Sequence, residues 1–89
     1  MARIFNIYFT YEDELRSAIV SMRSNPFFTE YILGNVDPDL CSLLPSHCTI
    51  TGYSGQLFFQ NPSVHNSPEL MNSIIKSLRN HLQATEASF

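Results

Sequence analysis

Segments in which polar and apolar residues alternate, joined by short connections, constrain the fold of this 89-residue chain most strongly. Residues 4–11 and residues 15–23 both place apolar side chains at every second position, which is typical of half-buried β-strands. The acidic turn of residues 12–14 separates the two segments, so we expect them to form a hairpin. A parallel crossover needs about a dozen residues or more, and most connections here are shorter. The pattern therefore predicts a mostly antiparallel sheet.

A third strand and a short helix are predicted next. Residues 27–33 form the strand, after a turn that Pro26 favours because proline disfavours helix at the residue before it. The short helix begins at Asp37-Pro38, with Asp37 as N-cap and proline in the first helical position. Its three leucines follow at helical spacing, which lets one short helix bury all of them: Leu40, Leu43 and Leu44.

Strands 4 and 5 are predicted over residues 48–53 and 56–60. The two residues between them, Ser54 and Gly55, suit a tight hairpin turn because glycine supplies the positive φ that such turns require. Beyond this hairpin lies a polar loop that ends at residue 66.

A long amphipathic helix is predicted to begin at Ser67-Pro68-Glu69 and to continue to about residue 84. A hydroxyl N-cap, a proline at the first position and a carboxylate facing the helix dipole together mark its start. Its apolar residues form one stripe: Leu70, Met71, Ile74, Ile75, Leu78 and Leu82. We expect residues 85–89 to be a frayed tail.

These elements predict one α+β domain over residues 1–89. Its order is β-β-β-short α-β-β-α, with a mostly antiparallel five-stranded sheet and the long C-terminal helix packed on one face. A single helix leaves the second face without a cover, yet both faces carry large apolar side chains. Because contiguous exposed apolar patches usually mark interaction sites, the uncovered face or an edge strand is predicted to form a homodimer interface.

Charged residues make up only 15% of the chain, and they are unevenly placed. None occurs in residues 40–68, which include strands 4 and 5. This hairpin is therefore either central and buried, because buried charges are rare, or at an edge, where a strand without charged residues invites pairing with another chain. Residues 47–61 are where we expect a partner to bind.

Composition also excludes several classes of protein. Five Lys and Arg against eight Asp and Glu give a net charge of −3, and no basic cluster is present to neutralise phosphates, so we expect no nucleic acid partner. No apolar run approaches the roughly 20 residues that span a bilayer, so we expect no membrane interaction. The N-terminal residues lack the apolar stretch of a signal peptide, which predicts a cytoplasmic protein.

No arrangement of residues predicts catalysis, a metal site or a cofactor. Cys41 and Cys48 are too far apart for the paired ligands of a zinc knuckle, and His47 adjoins Cys48, so the two would point oppositely on a strand. We expect both cysteines to be free thiols, Cys41 packed under the short helix and Cys48 inside strand 4. Ser54 is expected to be a turn residue, and the acids at residues 12–14 a solvated turn.

The function is therefore predicted only by class. The preferred hypothesis is a small non-catalytic interaction or oligomerisation domain, forming a homodimer. Its predicted interface or ligand surface comprises polar and aromatic groups around strands 1, 4 and 5: His47, Tyr53, Phe58, Gln60, His65 and Tyr8. The alternative is a small-ligand binding protein or an enzyme, with a site near strands 4 and 5 built from His47, Tyr53, Gln60 and His65.

Overall fold

The structure, a computed structural model, describes the backbone of residues 3–87 and the side chains of residues 3–83. Five strands and two helices follow each other in the predicted order. The strands are β1 (Arg3–Tyr11), β2 (Glu14–Ser24), β3 (Thr29–Gly34), β4 (Thr49–Tyr53) and β5 (Gln56–Phe59). The helices are α1 (Pro38–Cys41) and α2 (Pro68–Ala87).

The strands form one antiparallel sheet in the order β1-β2-β3-β4-β5, so each strand pairs with its neighbours along the chain. This arrangement confirms the α+β fold class, because α2 packs against the sheet as a separate layer. It also decides between the two positions considered for the β4–β5 hairpin. The hairpin lies at the edge of the sheet, with β5 outermost.

Both edge hairpins close through two-residue turns with left-handed backbone. The first turn is shorter than predicted, because Glu14 already belongs to β2 and pairs with Tyr11. Glu12 and Asp13 have φ values of 51° and 63°, and Ser54 and Gly55 have 52° and 80°. Positive φ at both central residues is the signature of a type I′ turn, whose twist matches that of the flanking strands. The β4–β5 turn has glycine at its second central position, which type I′ turns favour. The β1–β2 turn has no glycine.

The helix-facing side of the sheet holds the core. Alternation along each strand brings apolar side chains to this side, and the pairing register lines them up across neighbouring strands. From α2, three leucine and isoleucine side chains are completely buried against them: Leu70, Ile74 and Leu78. The buried residues of the sheet are Ile7, Phe9, Ala18, Val20, Tyr31, Leu33, Ile50 and Phe59.

Helix α2 begins as predicted and lies against both edge strands. The amide of Leu70 donates to the hydroxyl of Ser67, which caps the first turn. Further along, the hydroxyls of Ser73 and Ser77 donate to the carbonyls of Thr10 and Tyr8 in β1. Helix α2 also contacts β5. The sheet therefore curves around the helix, which is how one helix covers a five-stranded face.

The prediction that strand 3 begins at residue 27 was wrong. The side-chain oxygen of Asn25 accepts hydrogen bonds from the amides of Phe27 and Phe28, both at 2.8 Å. These bonds fold the segment into a turn, so Phe27 remains largely exposed and β3 starts at Thr29. A local side-chain acceptor competes successfully with the sheet at this point.

The short helix also differs from its prediction. It covers only residues 38–41, and Asp37 makes no side-chain capping bond although it stands at the N-cap. Its carboxylate instead accepts a 2.8 Å hydrogen bond from Arg16 of β2. At the other end of the chain, α2 continues to Ala87, past the predicted end near residue 84. The tail predicted for residues 85–89 lies partly outside the described residues.

The β1–β2 turn provides a test of the backbone assignment. Replacing Glu12 and Asp13 together by Asn and Gly supplies the residues that type I′ turns prefer, so we expect the free energy of unfolding to rise by about 1 kcal/mol. Urea denaturation measures the change. Gly55→Ala is the matched variant in the other turn, and it should lower the free energy of unfolding by a similar amount. An unchanged or lower stability of the double variant would contradict the assigned turn.

Candidate functional site

The sheet side that faces away from α2 is the candidate functional surface, here called the open face. The pairing register places on it every second residue of each strand, with Gln60 directly after β5. Its residues are Ile4, Asn6, Tyr8, Thr10, Leu15, Ser17, Ile19, Ser21, Arg23, Glu30, Ile32, Thr49, Thr51, Tyr53, Gln56, Phe58 and Gln60.

Large apolar side chains stand in solvent on the open face. Ile4 is 71% exposed, Tyr8 62%, Leu15 74% and Phe58 46%. Ile19 lies opposite Asn6, so it is diagonal to both Ile4 and Tyr8. Diagonal pairs in an antiparallel sheet are about 7–8 Å apart, within reach of long side chains. The apolar groups of β1 and β2 therefore form one continuous patch.

Charge is almost missing from the open face. Among its described residues, Arg23 and Glu30 are the only charged ones, and they are direct cross-strand partners in β2 and β3. The remaining polar groups are hydroxyls and amides. A solvated face of an antiparallel sheet normally alternates polar residues outward, and exposed edges usually carry charges that discourage association.

Side-chain hydrogen bonds fix the β3–β5 part of the open face. The amide nitrogen of Gln60 donates to the hydroxyl of Thr51 at 2.7 Å and to the carboxylate of Glu30 at 3.2 Å. Thr49 and Thr51 are buried on this face although it has no covering layer. These hydrogen bonds and the burial of the two threonines hold the side chains of this part of the surface in one arrangement.

The structure brings together four of the six predicted surface residues. Tyr8, Tyr53, Phe58 and Gln60 all belong to the open face, although Tyr8 and Phe58 lie on opposite edge strands. The two histidines do not join them: His47 is an exposed residue before β4, and His65 is exposed in the loop before α2.

A cleft lies on the other side of the sheet, between α2 and the β4–β5 hairpin. It has a volume of about 340 Å³ and is lined by residues of both elements, including Gly52, Leu57, Arg79 and Leu82. Of the four residues predicted for a ligand site, Tyr53 lines this cleft, whereas His47, Gln60 and His65 do not. The residues from α2 were not predicted, because only folding brings the helix beside the hairpin.

Arg16 is the centre of the principal charged cluster, which the sequence analysis missed. Its guanidinium contacts Asp37 at 2.8 Å, Asp39 at 3.1 Å and Glu14 at 3.0 Å. The hydrogen bond to Asp37, followed by that to Asp39, raises the pKa of Arg16 above its ordinary value. The cluster joins α1 to the β1–β2 hairpin. Its three carboxylates are occupied, so we assign it a structural role.

The two cysteines lie in different environments, and neither is where the sequence predicted it. Cys41 is exposed rather than packed under α1, and its thiol contacts the carbonyl of Val36. Cys48 precedes β4 rather than lying inside it, with a left-handed φ of 44°. Burial, followed by the nearby Cys41, raises the pKa of the half-buried Cys48 thiol. A raised pKa leaves less reactive thiolate at neutral pH.

The described part of the chain contains neither a metal-binding cluster nor a membrane-spanning helix. Within residues 3–83, no group of three or more His, Cys, Asp and Glu side chains is placed to hold a metal ion. In the same part of the chain no helix is both long and apolar enough to cross a bilayer. No protein-family model, curated protein or solved structure matches this chain.

The unequal burial of the cysteines predicts unequal reactivity. At neutral pH, one equivalent of iodoacetamide should label Cys41 well before Cys48, because the Cys48 thiol is half-buried and its pKa is raised. Peptide mass spectrometry of briefly treated protein identifies the labelled residue. The Cys41→Ser variant should react slowly when folded and rapidly in urea. Equal labelling of both thiols in the folded protein would contradict the assigned burial.

Proposed function

We propose that this protein is a non-catalytic interaction module that forms a homodimer through its open face. The observation that carries the proposal is the combination of exposed apolar side chains with an almost complete lack of charge on that face.

Cys41 and Cys48 are both free thiols, and this suits a reducing compartment such as the cytoplasm.

The scarcity of charged residues on the open face favours its association with a protein partner over its exposure to water. The central parts of protein interfaces are poor in Lys, Glu and Asp and rich in aromatic residues. The open face has the same composition, with Tyr8, Tyr53 and Phe58 among neutral hydroxyls and amides. Its one pair of opposite charges, Arg23 and Glu30, lies side by side, so its net charge does not oppose the approach of a second copy.

The size of the open face supports a second copy as the partner. Its five strands have four to eleven residues, and at about 3.3 Å per residue and about 4.8 Å between strands the face covers roughly 550 Å², about two-thirds of the ≈ 800 Å² that each partner contributes to a standard interface. In a two-fold dimer the same patch serves both copies, so the apolar cluster around Ile19 would pack against itself. Face-to-face packing of two sheets about 10 Å apart is a common way to build such a core.

Pairing through an edge strand is supported less well. β5 has four residues, and the amide of Gln60 donates to the carbonyl of Thr49. By alternation, only Leu57 and Phe59 direct their backbone groups outward from β5. At the other edge, Ser73 and Ser77 already bind carbonyls of β1. β5 is therefore short for stable strand addition, and α2 occupies two carbonyls near the C-terminal end of β1.

A single small ligand on the open face is also supported less well. Tyr8 and Phe58 belong to the two outermost strands, which are about 19 Å apart at ordinary strand spacing. No small molecule would contact both. A flat surface of that width suits a protein partner, whereas small-ligand sites are concave.

The proposal predicts that lysine on the open face separates the dimer. Tyr8→Lys and Phe58→Lys each place an unpaired charge in the interface, so we expect the dimer dissociation constant to rise by about tenfold or more. Sedimentation equilibrium at micromolar to submillimolar protein measures it, and circular dichroism checks that each variant is folded.

Two matched controls test whether any exposed lysine would have the same effect. Val64 and Phe27 are 94% and 79% exposed but lie outside the strands, in the loop before α2 and the turn before β3, so Val64→Lys and Phe27→Lys should leave the dimer intact. A wild-type protein that remains monomeric at high micromolar concentration would overturn the proposal. So would folded Tyr8→Lys and Phe58→Lys variants that still dimerise like the wild type.

A further inference from the structure

The cleft between α2 and the β4–β5 hairpin lies on the helix-facing side of the sheet, and it shares only Tyr53 and Gln56, at the tip of the hairpin, with the open face. Its floor comes from β3 and β4, and its walls come from the hairpin and the C-terminal half of α2. Its volume of about 340 Å³ falls within the 300–1,000 Å³ of ordinary small-ligand sites. At ≈ 30 Å³ per water molecule it would hold about eleven waters, so it fits a ligand of about ten non-hydrogen atoms.

The row of the sheet at the floor of this cleft has a glycine at its centre. Thr29, Gly52 and Leu57 pair across β3, β4 and β5, whereas the next row toward α1 contains Tyr31, Ile50 and Phe59. A Cβ atom at position 52 would lie 3.0 Å from the ring of Tyr31 and 3.3 Å from Leu57. Glycine inside a strand often marks a place where another group approaches closely, and at Gly52 these groups are the side chains of Tyr31 and Leu57, which pack over the strand at the cleft floor.

The cleft surface is mostly polar, with apolar surface from three residues and a single described cation. Tyr31, Leu57 and Leu82 supply apolar surface, and Thr29 and Gln83 supply a hydroxyl and an amide.

Arg79 supplies the only charge of the cleft among the described residues, and no described carboxylate forms an ion pair with it. The guanidinium group binds carboxylates through two parallel hydrogen bonds. The cleft therefore offers a place for an apolar body and a charged anchor for one anionic end.

We propose that this cleft binds a small carboxylate with an apolar body of about seven or eight carbon atoms. Its carboxylate pairs with Arg79, and its apolar part lies between Leu57, Leu82 and Tyr31. The site does not depend on the homodimer, because none of these three apolar residues belongs to the open face.

The test uses 3-phenylpropionate and two probes of nearly the same size, the neutral 3-phenylpropanol and the cationic 3-phenylpropylamine. Amide chemical shifts in ¹H–¹⁵N NMR spectra of the full chain report binding residue by residue. We expect saturable shifts at Gly52, Leu57 and Leu82 with the carboxylate, with a dissociation constant on the order of 1 mM or below. The alcohol and the amine should bind about tenfold more weakly or worse.

Arg79→Gln should weaken carboxylate binding by about tenfold or more, because a hydrogen bond to a charged group is lost. Lys76→Gln is the matched control, since Lys76 is an exposed cation of the same helix that lines a different groove, beside β1. It should leave binding unchanged.

Either of two results would overturn the proposal. One is the absence of saturable shifts at the cleft residues. The other is equal binding of the carboxylate, the alcohol and the amine.

Discussion

The burial of one face of α2 in the curved sheet is the interaction on which the rest of this structure depends. Leu70, Ile74 and Leu78 are completely buried, and each side chain of this kind contributes roughly 1.5–3 kcal/mol when removed from water. A flat sheet would leave its outer strands out of reach of a helix about 10 Å wide. Because the sheet curves, both β1 and β5 contact the helix, and a chain of 89 residues can close a core with one long helix.

The apolar surface of α2 covers one side of the sheet, so α2 has no apolar surface left to cover the open face. The open face must therefore either remain in water or meet a partner. Its residues are chemically unusual for a solvated sheet, because hydroxyls and amides replace the lysines and glutamates that keep exposed strands apart. On the open face the scarcity of charge that is visible in residues 40–68 extends after folding to β1, whereas β2 and β3 each contribute one charged residue, Arg23 and Glu30.

Local chemistry decided several details that periodicity alone predicted wrongly. Asn25 binds two consecutive backbone amides and delays the start of β3. Asp37 stands at a helix start, but its carboxylate binds Arg16, a residue from a distant part of the sequence. A local acceptor next to proline is visible in the sequence and is a signal for the later start of β3. A partner from another strand is not visible, because the pairing of β2 with α1 exists only after folding.

The sequence by itself determined the type and order of the elements. Alternation of period two, the Ser54-Gly55 turn and the Ser67-Pro68-Glu69 helix start are local signals, and local sterics and hydrogen bonds are sufficient to interpret them. The tertiary structure decided the strand order, the curvature of the sheet and the position of the cleft. These depend on which surfaces meet, and the apolar stripe of α2 does not specify which strands it will touch. The surface around Tyr8 and Phe58 is therefore a product of the fold, because the two residues lie far apart in the chain and share one face only through three intervening strands.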